Sequence, residues 1–197
     1  MKPCLSIVFY SPNGQPRGPR ARIYNFAKRL ASFGHNVTIY TKSHYHGTSS
    51  NYLPFYLLWK TEYVDGIRVV WINTPIYLSN SYRRLFSEVV FSFLSFLHFF
   101  VIHPKVSILI ADSVSPINSA MGVLSSKLKG SLFVHQVRDV WPISLVYDGS
   151  LLANSLTYKF FRFLEKLSYK HADWIISALP FVNDHIQASG GNPHNIS

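Results

Sequence analysis

Six short apolar runs, alternating with segments of helical periodicity, constrain the fold of this 197-residue chain more than any other feature. Each run is rich in strand-forming residues and is bounded by glycine, proline or polar residues, which is typical of a buried strand. Strands that alternate with helices form a parallel sheet covered by helices on both faces. The sequence therefore predicts an α/β fold over residues 1–197, a doubly wound, Rossmann-like parallel sheet with strand order 3-2-1-4-5-6. The predicted strands are 4–10, 36–41, 67–72, 106–111, 131–137 and 173–178.

The segments between these runs carry apolar residues at helical spacing. Gly34 and Gly130 each follow a helix and suit its C-terminal cap. The turn signal Asp65-Gly66 predicts that residues 62–64 pair as a hairpin with 67–72. The predicted helices are 20–33, 82–102, 112–129 (beginning after Ser115-Pro116), 151–171 and 181–189. The predicted inward faces are Ile23, Phe26, Ala27, Leu30 and Phe33 in the first helix, and Leu156, Phe160, Phe163, Leu164 and Leu167 in the helix 151–171.

The balance of charge indicates an anionic partner. Nineteen Lys and Arg against nine Asp and Glu give a net charge of +10, which suits nucleic acid, a membrane surface or a phosphorylated substrate. Nucleic acid is disfavoured because the chain has no RNA-binding aromatic motif and no recognition-helix pattern. The histidines lack ligand spacing, so we expect no metal and no cofactor. The single cysteine, Cys4, excludes an intrachain disulfide and is expected to be buried. No signal peptide is evident, so a cytoplasmic chain is the expectation.

Two helices carry the features of a membrane-facing surface. The helix 82–102 is the most apolar, but charges near its start and Pro104 after its end favour a buried or interface-lying helix over a membrane span. The second helix carries basic residues at spacings of three and four, which share one face. Together the two helices would form a surface for anionic lipid, and the alternative is a merely solvated basic face. The basic residues are Arg83, Arg84, Lys159, Arg162, Lys166 and Lys170.

The strongest candidate site follows the fifth strand, at residues 135–142. It places His135, Arg138, Asp139 and Trp141 at the carboxyl end of a buried strand, where α/β sheets bind ligands. Arg138 and Asp139 are the candidate catalytic residues, and His135 and Trp141 are candidate substrate contacts. The alternative is an Arg138–Asp139 ion pair that braces the loop, with Trp141 as its hydrophobic plug.

The loop after the first strand is the second candidate, because it lies at the topological switch point of such a sheet. It contains neither Gly-x-Gly-x-x-Gly nor Gly-Lys-Ser/Thr, which disfavours a dinucleotide site and a P-loop. Arg17, Arg20 and Arg22 surround Gly18 just before a helix. Cations there oppose the helix dipole, so an anion-binding turn is predicted, with a solvated basic turn as the alternative.

Four stretches of the chain together resemble the N-terminal domain of family-4 glycosyltransferases of the GT-B fold, in particular the bacterial enzymes of surface-polysaccharide synthesis (O-antigen, capsule or colanic acid). The resemblance runs from near residue 4 to residue 196. The run 138–142 is its most specific part. The stretches are Gly18 to Arg22 followed by Leu30-x-x-x-Gly34-His35-x-Val37-Thr38, then Asp65-Gly66-Ile67-Arg68-Val69 with Thr74-Pro75, then Val137-Arg138-Asp139-Val140-Trp141-Pro142, and Glu165-Lys166-Leu167-x-Tyr169-x-x-Ala172-Asp173.

This resemblance implies the acceptor-binding half of a glycosyltransferase, with an acceptor sugar on a polyprenyl diphosphate carrier. Gly18 and Arg22 would approach the diphosphate of a nucleotide-sugar donor, and Arg138 and Asp139 would line the acceptor side. The location implied is cytoplasmic and peripheral, at the inner face of the plasma membrane. The family's donor-binding domain with its Glu-x7-Glu motif would follow residue 197, so the chain would be a truncated product, a split subunit or an excised domain. By itself it is expected to turn over no donor.

Two other interpretations remain open at this point. The first is a non-catalytic membrane-docking subunit that recruits a separate donor-binding partner. The second is another Rossmann-type nucleotide-binding protein, such as a dehydrogenase fragment, which the missing Gly-x-Gly-x-x-Gly motif disfavours.

Overall fold

The computed structural model describes residues 3–16, 22–45, 48–78, 82–103 and 105–196. Arg17, Gly18 and Arg20, which the sequence predicts to bind an anion, lie outside the described residues. Arg22 is described and is the exposed first residue of the first helix.

A seven-stranded sheet with the order β3-β4-β2-β1-β5-β6-β7 forms the centre of the protein. All neighbouring strands are parallel except β3, which runs antiparallel to β4. The order predicted for the six apolar runs is confirmed. The predicted hairpin is also confirmed, with a longer first arm. The strands are β1 (Ser6–Tyr10), β2 (Asn36–Lys42), β3 (Trp59–Val64), β4 (Ile67–Ile72), β5 (Ile108–Asp112), β6 (Leu132–Val137) and β7 (Trp174–Ser177).

Helices cover both faces of the sheet. Helix α1 packs on β2 and β4 on one side, whereas α2, α3 and α5 lie side by side on the other, α3 between its two neighbours. Gly130 caps α3 in the left-handed conformation, as predicted. The short α4 was not predicted. The helices are α1 (Arg22–Ser32), α2 (Tyr82–Ile102), α3 (Pro116–Lys129), α4 (Ile143–Tyr147), α5 (Leu156–His171) and α6 (Asn183–Ala188).

The inward face of α5 differs from the predicted one. Leu156, Phe160 and Phe163 are exposed, and the buried residues are Phe161, Glu165, Ser168 and Tyr169. The helix carries two apolar stripes, and hydrophobicity alone does not choose between them. The structure buries the stripe in which Tyr169 meets the His135 ring of β6, with ring centroids 5.3 Å apart.

Two smaller expectations about burial are also wrong. The side chains of Phe26 in α1 and of Phe33 directly after it are exposed, while Tyr24 is buried with its hydroxyl donating a hydrogen bond to Asp65 at 2.9 Å. Cys4 is exposed because it precedes the first paired residue of β1, Ser6. Burial of Cys4 thus depends on where β1 begins, and burial in α1 depends on the contact that Tyr24 makes with Asp65.

Helix α3 approaches the sheet closely at Gly122. A Cβ atom there would lie 2.7 Å from the Cβ of Ala111 and 2.9 Å from a ring carbon of Phe133. This close contact sets the start of α3 against the carboxyl ends of β1 and β5, where Asn118 donates hydrogen bonds to the carbonyls of Tyr10 and Asp112. The glycine therefore helps to position the candidate site.

We expect Gly122→Ala to destabilise the protein by about 1–3 kcal/mol, because the added methyl group overpacks the α3–sheet contact. This loss outweighs the helix-propensity gain of about 1 kcal/mol for alanine. Urea unfolding measures the change. Lys127→Ala, an exposed change on the same helix, should stay within about 0.5 kcal/mol of the parent protein. An unchanged Gly122→Ala midpoint would contradict the packing described.

Candidate functional site

The carboxyl ends of β1, β5 and β6 are joined by one buried carboxylate, that of Asp112. Asp112 is the last residue of β5, and its carboxylate accepts hydrogen bonds from the hydroxyl of Ser11 (2.7 Å), the backbone N–H of Val114 (3.0 Å) and the guanidinium of Arg138 (3.1 Å). Burial raises the pKa of Asp112, and Arg138 and the hydrogen bonds oppose that rise. The loops that follow three strands thus meet at a single group.

The alternative interpretation of this loop, an Arg138–Asp139 ion pair that braces it, is wrong, because Arg138 pairs with Asp112 instead. Asp112 comes from the adjacent strand, whose end lies beside Gln136 in the β5–β6 register. Arg138 and Asp139 lie in the bend that follows β6, where the Arg138 side chain is buried in part against Asp112 and the Asp139 side chain is exposed. Sequence reasoning missed Asp112, although an acidic residue that ends an apolar run was the available signal.

Asp139 is exposed, and its carboxylate has no hydrogen-bond partner among the residues that the structure describes. Its backbone is held firmly. The hydroxyl of Ser113 accepts the N–H groups of Arg138 (2.8 Å) and Asp139 (3.1 Å) and lies 3.1 Å from the carbonyl of Asp139. The result is a carboxylate that is open to a ligand on a fixed backbone, beside a cation held by Asp112.

Trp141 is buried beside a cavity of about 200 Å³ between the start of α2 and the start of α5. Its ring meets Phe161 edge to face at 5.8 Å, and the guanidinium of Arg84 lies 5.6 Å from its centroid. Two buried atoms on the cavity wall, Ser115 Oγ and Glu88 Oε2, have no hydrogen-bond partner in the described part of the chain. The cavity is therefore mostly apolar with a few polar atoms.

A buried ion pair lies at the end of β2, and sequence reasoning missed it. The ammonium of Lys42 is 2.7 Å from a carboxylate oxygen of Glu88, and both side chains are almost fully buried. Burial lowers the pKa of Lys42, while Glu88 opposes this change. The signal in the sequence was the only acidic residue of a long apolar helix.

His135 lies under α5, against Tyr169, and is nearly closed to solvent. Burial lowers the pKa of His135 to about 4, so the imidazole is neutral near pH 7. It lines a small cleft together with Asp139 and Trp141. The structure thus brings three predicted site residues close together, with His135 as the innermost.

The predicted basic surface is only partly assembled. Lys159, Lys166 and Lys170 are exposed on one face of α5, and Arg83 is exposed at the start of α2. Arg162 departs from this surface, because it pairs with the buried Glu165 and lies 3.2 Å from His185. Arg84 also departs from it, because the half-buried guanidinium lies over Trp141.

Residues 17–197 match the family described as Glycosyl transferase 4-like domain. The chain belongs to this family. No curated protein matches it in sequence.

Several solved structures of GT-B glycosyltransferases are similar in fold. A sucrose-phosphate synthase from Thermosynechococcus elongatus has a TM-score of 0.57 at 12% identity over 94% of this chain and 83% of that one. HepE from Anabaena, in complex with UDP and glucose, has a TM-score of 0.53 at 13% identity over 98% of this chain. The catalytic domain of starch synthase IV from Arabidopsis thaliana, bound to ADP and acarbose, has a TM-score of 0.57 at 11% identity over 92%.

At these identities the comparison shows the fold alone. This chain spans 43% of the HepE chain and 46% of the starch synthase chain. The mostly parallel sheet of the present structure is thus a glycosyltransferase fold, as the sequence resemblance implied.

The two acidic residues of the site should differ sharply in their effect on stability. We expect Asp112→Asn to destabilise the protein by about 1–3 kcal/mol, because Arg138 and the Ser11 hydroxyl lose a charged acceptor. Asp139→Asn should stay within about 0.5 kcal/mol of the parent, since this carboxylate is exposed. Urea unfolding of the two variants side by side measures the difference. Equal urea midpoints for the two variants would show that Asp112 does not hold together the loops that follow β1, β5 and β6.

Proposed function

We propose that this protein is the acceptor-binding part of a glycosyltransferase that moves a sugar from a nucleotide-sugar to a lipid-linked saccharide. The exposed Asp139 carboxylate, fixed on the edge of a GT-B-type sheet, is the observation that carries this proposal. Membership of the glycosyltransferase family supports the reaction class. HepE bound to UDP and glucose supports a nucleotide-sugar as the donor.

In the transfer, an acceptor hydroxyl oxygen forms a bond to the anomeric carbon of the donor sugar. The bond from that carbon to the diphosphate oxygen breaks, the nucleoside diphosphate leaves with the electron pair, and the hydroxyl passes its proton to the Asp139 carboxylate. Asp139 accepts a hydrogen bond from this hydroxyl and orients it, because its carboxylate is exposed while its backbone is held by Ser113. Arg138, fixed by Asp112, supplies positive charge beside the reacting groups.

The donor approaches from the opposite side of the cleft in this proposal, with Arg22 and the first loop near its diphosphate. Gln15 anchors the start of that loop, since its amide donates to the carbonyls of Pro12 (3.1 Å) and His44 (3.2 Å). A diphosphate at the start of α1 would offset the unfavourable position of a cation at a helix N-terminus.

The saccharide acceptor is carried on a polyprenyl diphosphate, and the pathway is bacterial surface-polysaccharide synthesis at the inner face of the plasma membrane. The mostly apolar cavity beside Trp141 and the exposed lysines of α5 support a lipid-linked acceptor at a membrane surface.

Asp139→Asn is expected to lower the transfer rate by about 100-fold or more, because the amide cannot accept and hold the hydroxyl proton. Labelled-sugar transfer to a lipid-linked acceptor measures the rate, with a donor-binding domain supplied by fusion or in trans. Asp184→Asn changes an exposed acidic residue at the start of α6, outside the site, and should leave the rate within about twofold. An Asp139→Asn variant that melts normally and transfers at the parent rate would remove this residue from the site.

Vesicle binding tests the proposed membrane location. The chain should bind anionic vesicles at low salt, because each lysine near such a surface contributes about 1 kcal/mol. Changing Lys159, Lys166 and Lys170 together to Gln should weaken this binding at least tenfold, measured by co-sedimentation. Lys28→Gln with Arg29→Gln, on the other face of the sheet, should leave it unchanged. Equal binding of the parent protein to neutral and anionic vesicles would contradict the electrostatic surface.

A further inference from the structure

Helix α2 packs with its polar residues inward and its apolar residues outward, the reverse of an ordinary helix on a soluble core. Apart from Phe91 and Phe99, its buried face is built from serine, glutamate and histidine. The buried polar residues are Ser87, Glu88, Ser92, Ser95 and His98. The outward residues Phe86, Val89, Phe93, Leu97 and Phe100 are exposed.

Two buried contacts fix this orientation. Glu88 forms an ion pair with Lys42 at 2.7 Å, and one turn short of the helix end His98 Nδ1 lies 2.9 Å from the hydroxyl of Tyr40. Rotation of the helix about its axis would leave buried charged and polar groups without partners, which is costly. These core contacts therefore keep the exposed apolar residues of α2 on the outside, and their exposure is not a result of loose packing.

The apolar surface continues beyond α2. In the neighbouring helices of the same layer, Leu124 and Leu128 of α3 and Phe160 and Phe163 of α5 are also exposed. Trp59, the first residue of β3, is exposed as well, and its ring meets His98 of α2 with the ring centroids 5.3 Å apart. Large exposed apolar surfaces of this kind mark interaction sites.

The charges around this surface decide what it binds. The three helices contain two acidic residues, Glu88 and Glu165, and both are buried. Two copies of this face would therefore bring cations against cations, whereas anionic lipid headgroups would complement them. The exposed charged residues on α2, α3 and α5 are Arg83, Lys127, Lys159, Lys166 and Lys170.

Lys129 shows how a cation fits at the border of such a surface. Its ammonium lies 4.5 Å from the centroid of the Phe100 ring and donates a hydrogen bond to the Phe100 carbonyl at 3.0 Å. The aliphatic stem follows the apolar surface while the charge stays at its edge, the arrangement that lysines adopt at membrane interfaces.

We propose that the outward face of α2, flanked by α3 and α5, inserts into the interfacial layer of an anionic bilayer with the helix lying in the membrane plane. Among the described residues α2 is the one helix that is long and apolar enough to cross a membrane. The helix lies on the surface instead, because its polar face is bound to the sheet. This inference rests on the proposed membrane location and adds the element that enters the lipid.

The orientation also links the membrane to the candidate site. The first turn of α2 contributes Tyr82, Arg84 and Leu85 to the cavity beside Trp141. With α2 in the headgroup layer, this cavity opens near the lipid surface. Trp141 lines both this cavity and the small cleft of Asp139, so a lipid-linked acceptor held in the cavity would lie close to Asp139.

The test compares binding to vesicles of phosphatidylcholine alone and with phosphatidylglycerol, at low salt and in high salt. High salt screens the lysines but not the inserted rings. The parent protein should retain measurable binding to the mixed vesicles in high salt. Phe86→Ser with Phe93→Ser should reduce that salt-resistant binding at least tenfold. Phe33→Ser, which changes a similarly exposed phenylalanine directly after α1, should leave it unchanged. Thermal melts of all variants check that they fold.

Complete release of the parent protein in high salt would overturn insertion by α2, while leaving electrostatic docking and the transferase proposal intact. Unchanged salt-resistant binding of the double variant would overturn it as well. Light scattering provides a further arm, in which a dimer of the parent protein that the double variant abolishes would assign the face to a second copy. The transfer assay on Asp139 tests the proposed function independently of these results.

Discussion

The arrangement of the candidate site, at the carboxyl ends of β1, β5 and β6, depends on the buried carboxylate of Asp112. Asp112 is the last residue of the central strand β5. Its carboxylate accepts hydrogen bonds from the loop after β1, the segment before α3 and the loop after β6, through Ser11, Val114 and Arg138. A buried carboxylate is stable only when such donors satisfy it. Three chain segments that are far apart in sequence are thereby held together. Asp139 needs no part in this support, which leaves its carboxylate open to a ligand.

Other buried polar groups hold helices α2 and α5 in place, and they determine which face of each helix is buried. The Lys42–Glu88 pair and the Tyr40–His98 contact hold α2 by its polar face, and the Glu165–His185 contact at 2.8 Å holds α5. Burial lowers the pKa of His98 to about 4, so the imidazole that contacts Tyr40 is neutral near pH 7. Polar groups thus occupy inner positions that apolar residues usually fill. Many apolar residues of these helices are left exposed, and this exposure is the basis of the proposed contact with lipid.

Much of the fold could be predicted because its signals are local. A buried strand appears as a short apolar run, and the Asp65-Gly66 turn has positive φ at both residues, as a tight hairpin requires. The bounds of α2 and the glycine cap of α3 were correct for the same reason. The loop that carries Arg138 and Asp139 does follow β6 at the carboxyl edge of the sheet, because parallel strands present their loops at one edge. The partner of Arg138 was not predictable, because Asp112 is 26 residues away and reaches it only through the β5–β6 register.

The amino-acid sequence was enough to predict most of the elements, the order of the strands and the position of the loop that carries Asp139. These follow from hydrophobic periodicity and turn chemistry, which act over a few residues. Only the tertiary structure decided which stripe of α5 is buried, which carboxylate Arg138 meets and which way α2 faces. In each case two arrangements have similar hydrophobicity, and contact with a buried partner decides between them. Lys42 is that partner for Glu88, and His135 is that partner for Tyr169. Because those partners come from other strands, their effect exists only once the sheet has formed.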